Sequence, residues 1–515
     1  MNGSQRFFRR TVLGLSLVLS TLPVSSQSLV QAVEHRCGFE SAHERKMRDD
    51  GRYAERTQAF ESLLRSGVQL ERGGGTLFVP VVVHVMETGN ALTEISDAQV
   101  RDGIRRLNER YRKIPGTPGD GNGVDIGIEF ALAVRDPQGN CTNGITRYDM
   151  TGNATYMANG VFSETSGISD ASLKALEVWD QETYYNIWLV SEIDNNNGGG
   201  GVQGYAYFSG SHGGPEDGTV MLVNSYKSPS SITLAHELGH AFNVYHTFQG
   251  DANGTACPPN GDCAVDGDRV CDTPPHIRSN SDCDFTGTNA CDGGSSLALF
   301  KNNYMDYAGD ACQNMFTAGQ NTRIQAALTT ARSSFLAANG NLALVPPGAP
   351  TVDLVASGSF LCGAGGSVQF YDASACIPNT YVSDAPGITF AWTITNGTET
   401  HNATAQNPLF TLNSVGVYDV TLAVTTGLGT FTRTELGSVV VAAQAVPACS
   451  PNSNNEGNFA QTVNNVVFNT ISNSTSTVTN VAYTDFSCSQ NTIVAAGGTY
   501  PLSISLRAGG SAAES

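Results

Sequence analysis

The sequence predicts an α+β domain followed by β-sandwich modules. Three observations carry this. An apolar, β-branched run, "TLFVPVVVHVM" at 76–86, leads into a segment with helical spacing. Further strand-like runs and helical segments follow as far as residue 338. Beyond "LVPPGAP" at 344–350 no helical period remains, and short strand-like runs alternate with turns.

Taken in order, the N-terminus reads as a secretory signal over 1–26. Arg6, Arg9 and Arg10 precede "TVLGLSLVLSTLPV", and small residues offer cleavage near Ser26 or Ala32. A membrane anchor is the competing reading, but that run is short for a bilayer, and no other segment could cross one. Residues 27–75 are charged and helix-prone, close on "RGGG", and read as a detachable leader. A domain over 76–343 follows. Its first strand is bounded by Gly. Ser96 caps a helix with Val100, Ile104, Leu107 and Tyr111 on one face. "GIEFALAVRDPQGN", "YYNIWLVSEI" and "GTVMLVNSYK" are expected strands, and "TAGQNTRIQAALTTARSSFLAA" an expected helix. Residues 350–443 are expected to form a β-sandwich. Residues 447–515 are expected to form a smaller β-rich module, read as incomplete.

Composition removes some functions. The chain has 515 residues, with 28 Lys+Arg against 47 Asp+Glu and a net charge of −19. Phosphate binding needs a basic face, so nucleic acid is not an expected partner. An acidic surface suits calcium sites, basic substrates or plain solubility. Twelve cysteines in an exported chain imply disulfides.

The chemistry concentrates in "HELGHAFNVYH" at 236–246. On a helix, His236 and His240 share a face and can reach one metal ion. Glu237 sits beside them, placed to orient and deprotonate a water. His246 lies six residues past His240, and a continuous helix would swing it away. The chain must therefore turn, and Asn243 is the expected pivot, because Asn tolerates a left-handed backbone best after Gly. Three imidazoles on Zn²⁺ leave a fourth position open. Further on, "NNYMDYAGDAC" at 302–312 offers Met305 as an apolar floor beneath such a site. Tyr307 can aim its hydroxyl at the metal or at a developing oxyanion.

"HELGHAFNVYHTF" with "NYMDYAGDACQNMFTAGQ" resembles the metzincin zinc peptidases, and within them the pappalysin-like family. The resemblance extends over 76–335 through "VPVVVHVM", "DPQGNCTNGITR", "YNIWLV", "GYAYF" and "GDRVCDTP". It implies a metzincin-type domain with a mixed sheet and an active-site helix. It implies His236, His240 and His246 as zinc ligands and Glu237 as general base. Met305 would be the Met-turn residue and Tyr307 the transition-state stabiliser. The one departure is Asn243, where the family carries Gly. "GTVMLVNS" would be the edge that binds extended substrate by backbone pairing.

The same resemblance gives Cys37, in "HRCGFE", the part of a zymogen switch that occupies the open metal position; a structural disulfide is the alternative. Asp262, Asp266, Asp268, Asp272 and Thr273 are expected calcium ligands, against a solvated acidic loop. Asp306 and Asp310 flank the Met-turn and would favour Arg or Lys in the substrate. Cys257–Cys283, Cys362–Cys376 and Cys449–Cys488 are the expected pairs, with a partner for Cys312 and Cys141 left over. The sandwich resembles a PKD-like domain, open to readings as a spacer or as a binder of extracellular matrix or polysaccharide. The sequence thus points to a secreted zinc endopeptidase acting on proteins or peptides. The alternative is an adhesion protein with a non-catalytic metalloprotease-like domain.

Overall fold

Strand β1 (Leu77–Glu87), buried along most of its length, organises the first domain. Its coordinates come from a computed structural model that describes residues 37–67, 75–198, 200–443, 461–469, 471–474, 492 and 498–508. The signal segment over 1–26 lies outside these residues, as do Cys449 and Cys488. Ahead of β1 stand helices α1 (Phe39–Asp49) and α2 (Gly51–Arg65), in the segment expected to be a leader. The Asp50 carboxylate between them accepts the backbone N–H of Arg52 and Tyr53, which starts α2.

After β1 come α3 (Asp97–Tyr111), β2 (Ile128–Leu132), β3 (Ile145–Asp149), α4 (Ala154–Asn159), α5 (Asp170–Lys174), β4 (Tyr185–Val190), β5 (Gly204–Ala206), β6 (Thr219–Leu222), α6 (Val223–Lys227), α7 (Thr233–Ala241), α8 (Ala298–Lys301) and α9 (Ala318–Thr329). Ser96 caps α3 and Thr317 caps α9, each in a reciprocal box with the Gln three residues on. The sheet runs β2-β1-β4-β6-β5, with β3 also paired to β1. All pairs are parallel except β5 with β6. Val81, Val83, Ile104, Leu107, Phe130 and Ile187 pack the face between the sheet and α3. The Asn108 side chain donates to the Phe130 carbonyl and accepts its N–H, fixing α3 against β2.

One expected strand is corrected. Residues 218–227 do not run as a single edge strand. The strand stops at Leu222, and Val223–Lys227 is helical. All four residues of β6 are buried and it pairs on both sides, as a strand this apolar should. The edge is β5. The Tyr226 hydroxyl donates to the Val100 carbonyl and draws the chain off the sheet onto α3.

The disulfides also differ from expectation. Cys257 pairs with Cys291, Cys263 with Cys271 and Cys283 with Cys312. Cys141 is not left over; it pairs with Cys376, across 235 residues. Cys376 is therefore not the partner of Cys362, which is itself disulfide-bonded. Sequence proximity suggested the local pair, but Cys376 is buried against the first domain and its Cα lies 5.0 Å from that of Cys141.

That bond fastens the second domain. Strands β7 (Leu354–Ala356), β8 (Phe360–Cys362), β9 (Gly366–Asp372), β10 (Thr389–Thr395), β11 (Thr400–Ala403), β12 (Leu409–Leu412), β13 (Gly416–Thr426) and β14 (Gly429–Ala442) form two sheets. Phe370, Trp392, Ile394, Leu412, Tyr418 and Leu422 fill the space between them. Tyr371 and Tyr381 instead join the core of the first domain, and Asn108 donates to the Thr380 carbonyl. The linker at 344–350 therefore does not let the sandwich swing as a free spacer. Beyond it, β15 (Gln461–Phe468), β16 (Ile471–Ser474) and β17 (Leu502–Ala508) make a three-stranded sheet.

A buried ion pair holds the end of α7. Arg332 grips Asp217 with both terminal nitrogens, at 2.7 and 2.8 Å, while its Nε donates to the Ala241 carbonyl. Burial pushes the Asp217 carboxyl up, but the Arg332 charge outweighs it and holds the group well below the usual carboxylate range. A depressed folded pKa stabilises above the unfolded value, near 4, and that contribution is lost as pH falls towards the folded value.

Two outcomes are expected. Replacing both Cys141 and Cys376 by Ser costs about 2–5 kcal/mol of stability in denaturant unfolding. Asp217→Asn, which strands Arg332, costs about 3–5 kcal/mol at pH 7. The gap between that variant and the parent narrows below pH 4, as read by urea unfolding across pH.

Candidate metal centre

Helix α7 carries His236 and His240 into the buried interior, one turn apart. The helix ends at Ala241, and Asn243 then takes φ +64°, the left-handed turn expected of it. Its side-chain oxygen accepts the Ser209 N–H at 2.7 Å, and its carbonyl accepts Arg323 Nε at 2.8 Å. The turn brings His246 back beside the first two histidines. The three Nε2 atoms lie 3.1–3.2 Å from one another.

The other ring nitrogens explain why. His236 Nδ1 lies 2.7 Å from the Tyr304 carbonyl, and His240 Nδ1 lies 2.8 Å from the Val244 carbonyl. A carbonyl only accepts, so both Nδ1 atoms carry the hydrogen and both Nε2 atoms present lone pairs. Burial lowers the His236 pKa to about 4 and pushes His240 down as well, which keeps the rings neutral. Inward lone pairs at this spacing repel unless a cation lies between them. A tetrahedral Zn²⁺ with bonds of 2.0–2.1 Å sets its ligand nitrogens about 3.3 Å apart. The residues present fit that ion.

A fourth donor completes the set. Cys37 Sγ and the three imidazoles lie within 4.8 Å of one another, all buried. Cys37 precedes α1, in the expected leader, and makes a parallel bridge to Gly204 of the edge strand β5. Gly38 donates its N–H to the Gly204 carbonyl at 3.0 Å. Cys37 is the one unpaired cysteine among the described residues, so the disulfide alternative does not hold. Its Sγ lies 3.4 Å from Glu237 Oε2. Burial, then the Glu237 carboxylate, pushes the thiol pKa up. Burial raises Glu237 to about 8.

Met305 lies beneath the histidines. A Cβ at Gly239 would stand 2.4 Å from its Sδ, so only Gly lets α7 rest there. The Met305 carbonyl accepts the Thr247 N–H at 3.1 Å, tying this turn to the segment that carries His246. The Tyr307 ring lies 5.0 Å from that of His246, and its buried hydroxyl has no hydrogen-bond partner in the protein. Cys37, Glu237, Tyr307, Asp306, Asp310 and Gln313 line a small cavity beside the cluster. Asp306 is fully buried and its Oδ2 is also unpartnered.

The expected calcium ligands do not converge. Asp266 accepts the N–H groups of Gly261 and Asp262, and Asp268 accepts from Thr273 Oγ1 and Val270 N–H. Asp272 accepts from Thr317 Oγ1 and Gly319 N–H. Asp262 accepts the Ala264 N–H. These carboxylates close turns and fasten the start of α9. Among the described residues, the single group of three or more donors that could hold a metal is the Cys37–histidine cluster.

Two leader residues escaped the sequence reading. The Phe39 ring stacks on His240 with centroids 3.8 Å apart. Glu40 Oε1 lies 3.5 Å from His246 Nδ1. Their closeness in sequence to Cys37 was the available signal.

The chain is similar to several known proteins. Residues 167–329 match the peptidase M43 family, described as Pregnancy-associated plasma protein-A. The chain is 28% identical over 264 residues to an extracellular metalloprotease of Pyricularia oryzae, covering 48% of this chain and 74% of that one. It is 27% identical over 322 residues to one of Arthroderma otae, covering 60% of this chain and 95% of the relative. A solved Tannerella forsythia promirolysin mutant is 27% identical, covers 60% of this chain and 99% of its own, and has a TM-score of 0.45. The histidine helix and the Met-bearing turn both lie inside the segment that matches the peptidase M43 family of metallopeptidases.

Proposed function

We propose that this chain is a secreted zinc endopeptidase made as a latent precursor. The observation that carries the reading is the convergence of three imidazoles with a thiol from a separate N-terminal segment. His236, His240 and His246 would hold the ion, and Cys37 would fill its fourth position until the leader departs. Zinc held there supplies Lewis acidity, activating water and polarising a scissile carbonyl.

The remaining work falls to the chain. Glu237, lodged between the histidines and Cys37, takes a proton from the attacking water and returns it to the leaving amine. The unpartnered Tyr307 hydroxyl donates to the oxyanion. The edge β5, which Cys37 and Gly38 cover in the latent form, offers its backbone to an extended substrate. Asp306 and Asp310 line the adjoining cavity and suit a Lys or Arg side chain. Export is supported by the signal-like N-terminus, by the disulfides and by relatives named as extracellular. For the sandwich, the seat on the first domain supports a structural role over that of a spacer.

Two outcomes test this. Leader-free protein hydrolyses protein substrates, while Glu237→Ala loses at least about a hundredfold in kcat/KM and keeps one zinc per chain by metal analysis. In the full-length chain, Cys37→Ala gains activity without proteolysis. Second, peptide-library profiling shows cleavage before Arg or Lys, and Asp310→Asn reduces that preference by about tenfold.

A further inference from the structure

The leader is held at a second place, away from the thiol. Glu61 of α2 is buried and lies between two arginines of the enzyme domain. Arg323 of α9 grips both carboxylate oxygens, and Arg269 Nη1 stands 3.1 Å from Oε2. Both guanidinium groups pack against the Tyr245 ring, at 4.9 and 5.3 Å from its centroid. Among the described residues, Glu61 is the only acidic side chain in ion-pair contact with either arginine. Asp268, next to Arg269 in sequence, is engaged with Thr273 and Val270. Arg269 sits at φ +61°, a conformation that Gly would adopt more cheaply, so this position keeps its side chain against a backbone cost.

Removal of residues 37–67 takes away Glu61 and leaves two arginines facing the groove that α1 and α2 had filled. The same groove contains Tyr245, Phe208 and the face of His240 that Phe39 covers; Phe39 stacks on His240, and His43 lies against Phe208 and edge-on to Tyr245. It therefore continues from the metal ligands to the arginine pair. We propose that leader removal uncovers a carboxylate-binding subsite, formed by Arg269 and Arg323 on Tyr245, that takes an acidic group of a bound peptide several residues from the scissile bond. In the latent form Glu61 stands in for that group. The inference rests on the reading of 37–67 as a leader that departs. It adds a preference for acid at one end of the groove to the preference for base in the cavity of Asp306 and Asp310, which borders His236 and Glu237 instead.

Arg323 also supports the Asn243 carbonyl, so the informative variant is Arg269→Gln, whose side chain is partly exposed. The measurement is fluorescence anisotropy with zinc-loaded, leader-free Glu237→Ala protein. The probes are amidated, labelled octapeptides that are identical except for Glu or Gln at one position, moved along the chain. At one position Glu is expected to bind about tenfold tighter than Gln. That advantage shrinks with added salt, disappears in Arg269→Gln and largely survives in Arg269→Lys. A matching set with Gln throughout and a free C-terminus identifies the source. A tenfold gain there, and none from internal Glu, assigns the subsite to chain ends. Equal affinities throughout, no measurable binding of any peptide, or an advantage untouched by Arg269→Gln overturns the subsite. Hydrolysis by leader-free protein with Glu237 intact is scored separately. Hydrolysis without any Glu advantage leaves the peptidase reading standing. A Glu advantage without hydrolysis leaves the subsite and removes the peptidase reading.

Discussion

Three imidazole rings must offer their lone pairs to one point, and the rest of the first domain is arranged around that demand. The rings cannot be left to rotate, because a flipped ring would turn N–H inward. Carbonyls of Tyr304 and Val244 prevent this for His236 and His240. Each of those carbonyls is itself placed by a turn: one by the Met305 turn, the other by the left-handed residue Asn243. Substitutions far from the metal can therefore act on it by moving a carbonyl.

The supports extend outward in layers. Arg332 holds the carbonyl at the end of α7 and is neutralised by Asp217. Arg323 holds the Asn243 carbonyl and is neutralised by Glu61, which belongs to the leader. The two arginines do similar work with opposite fates. One keeps its counter-charge in the enzyme domain, and the other loses it if the leader leaves. The contacts that residues 37–67 make with the rest of the first domain extend well beyond the thiol at the histidines. Phe39 covers His240, Glu40 approaches His246, Cys37 and Gly38 occupy the edge strand, and Glu61 fills the arginine pair.

The sandwich belongs to this structure as well. Two of its tyrosines, Tyr371 and Tyr381, enter the core beneath α3, and its Cys376 reaches back to Cys141. A helix that packs on a sheet with one face and on a second domain with the other has little freedom to shift, so the sheet supporting α7 is held from outside as well as within.

The sequence by itself determined the parts governed by local rules. The spacing of His236 and His240 follows from helical geometry, and the turn at Asn243 follows from which side chains tolerate positive φ. Ser96 and Thr317 cap helices because their neighbours repeat a short-range pattern. Cys37, Met305 and Tyr307 were found through motif resemblance, and the structure brings them to the histidines. Tertiary structure decided whatever depends on partners distant in the chain. Residues 218–227 have the composition of a strand throughout, but burial on both faces of β6 and the pull of Val100 on Tyr226 end it at Leu222. Cysteine pairing followed domain docking, not sequence distance, so Cys376 found Cys141. The aspartates at 262–272 look like metal ligands when counted, yet each is taken up by a nearby N–H or hydroxyl. Glu61 and Arg323 are 262 positions apart, and no local pattern announces such a pair. Short-range chemistry sets the histidine helix and its turn, and long-range packing supplies the groups that orient the rings and decides what covers them.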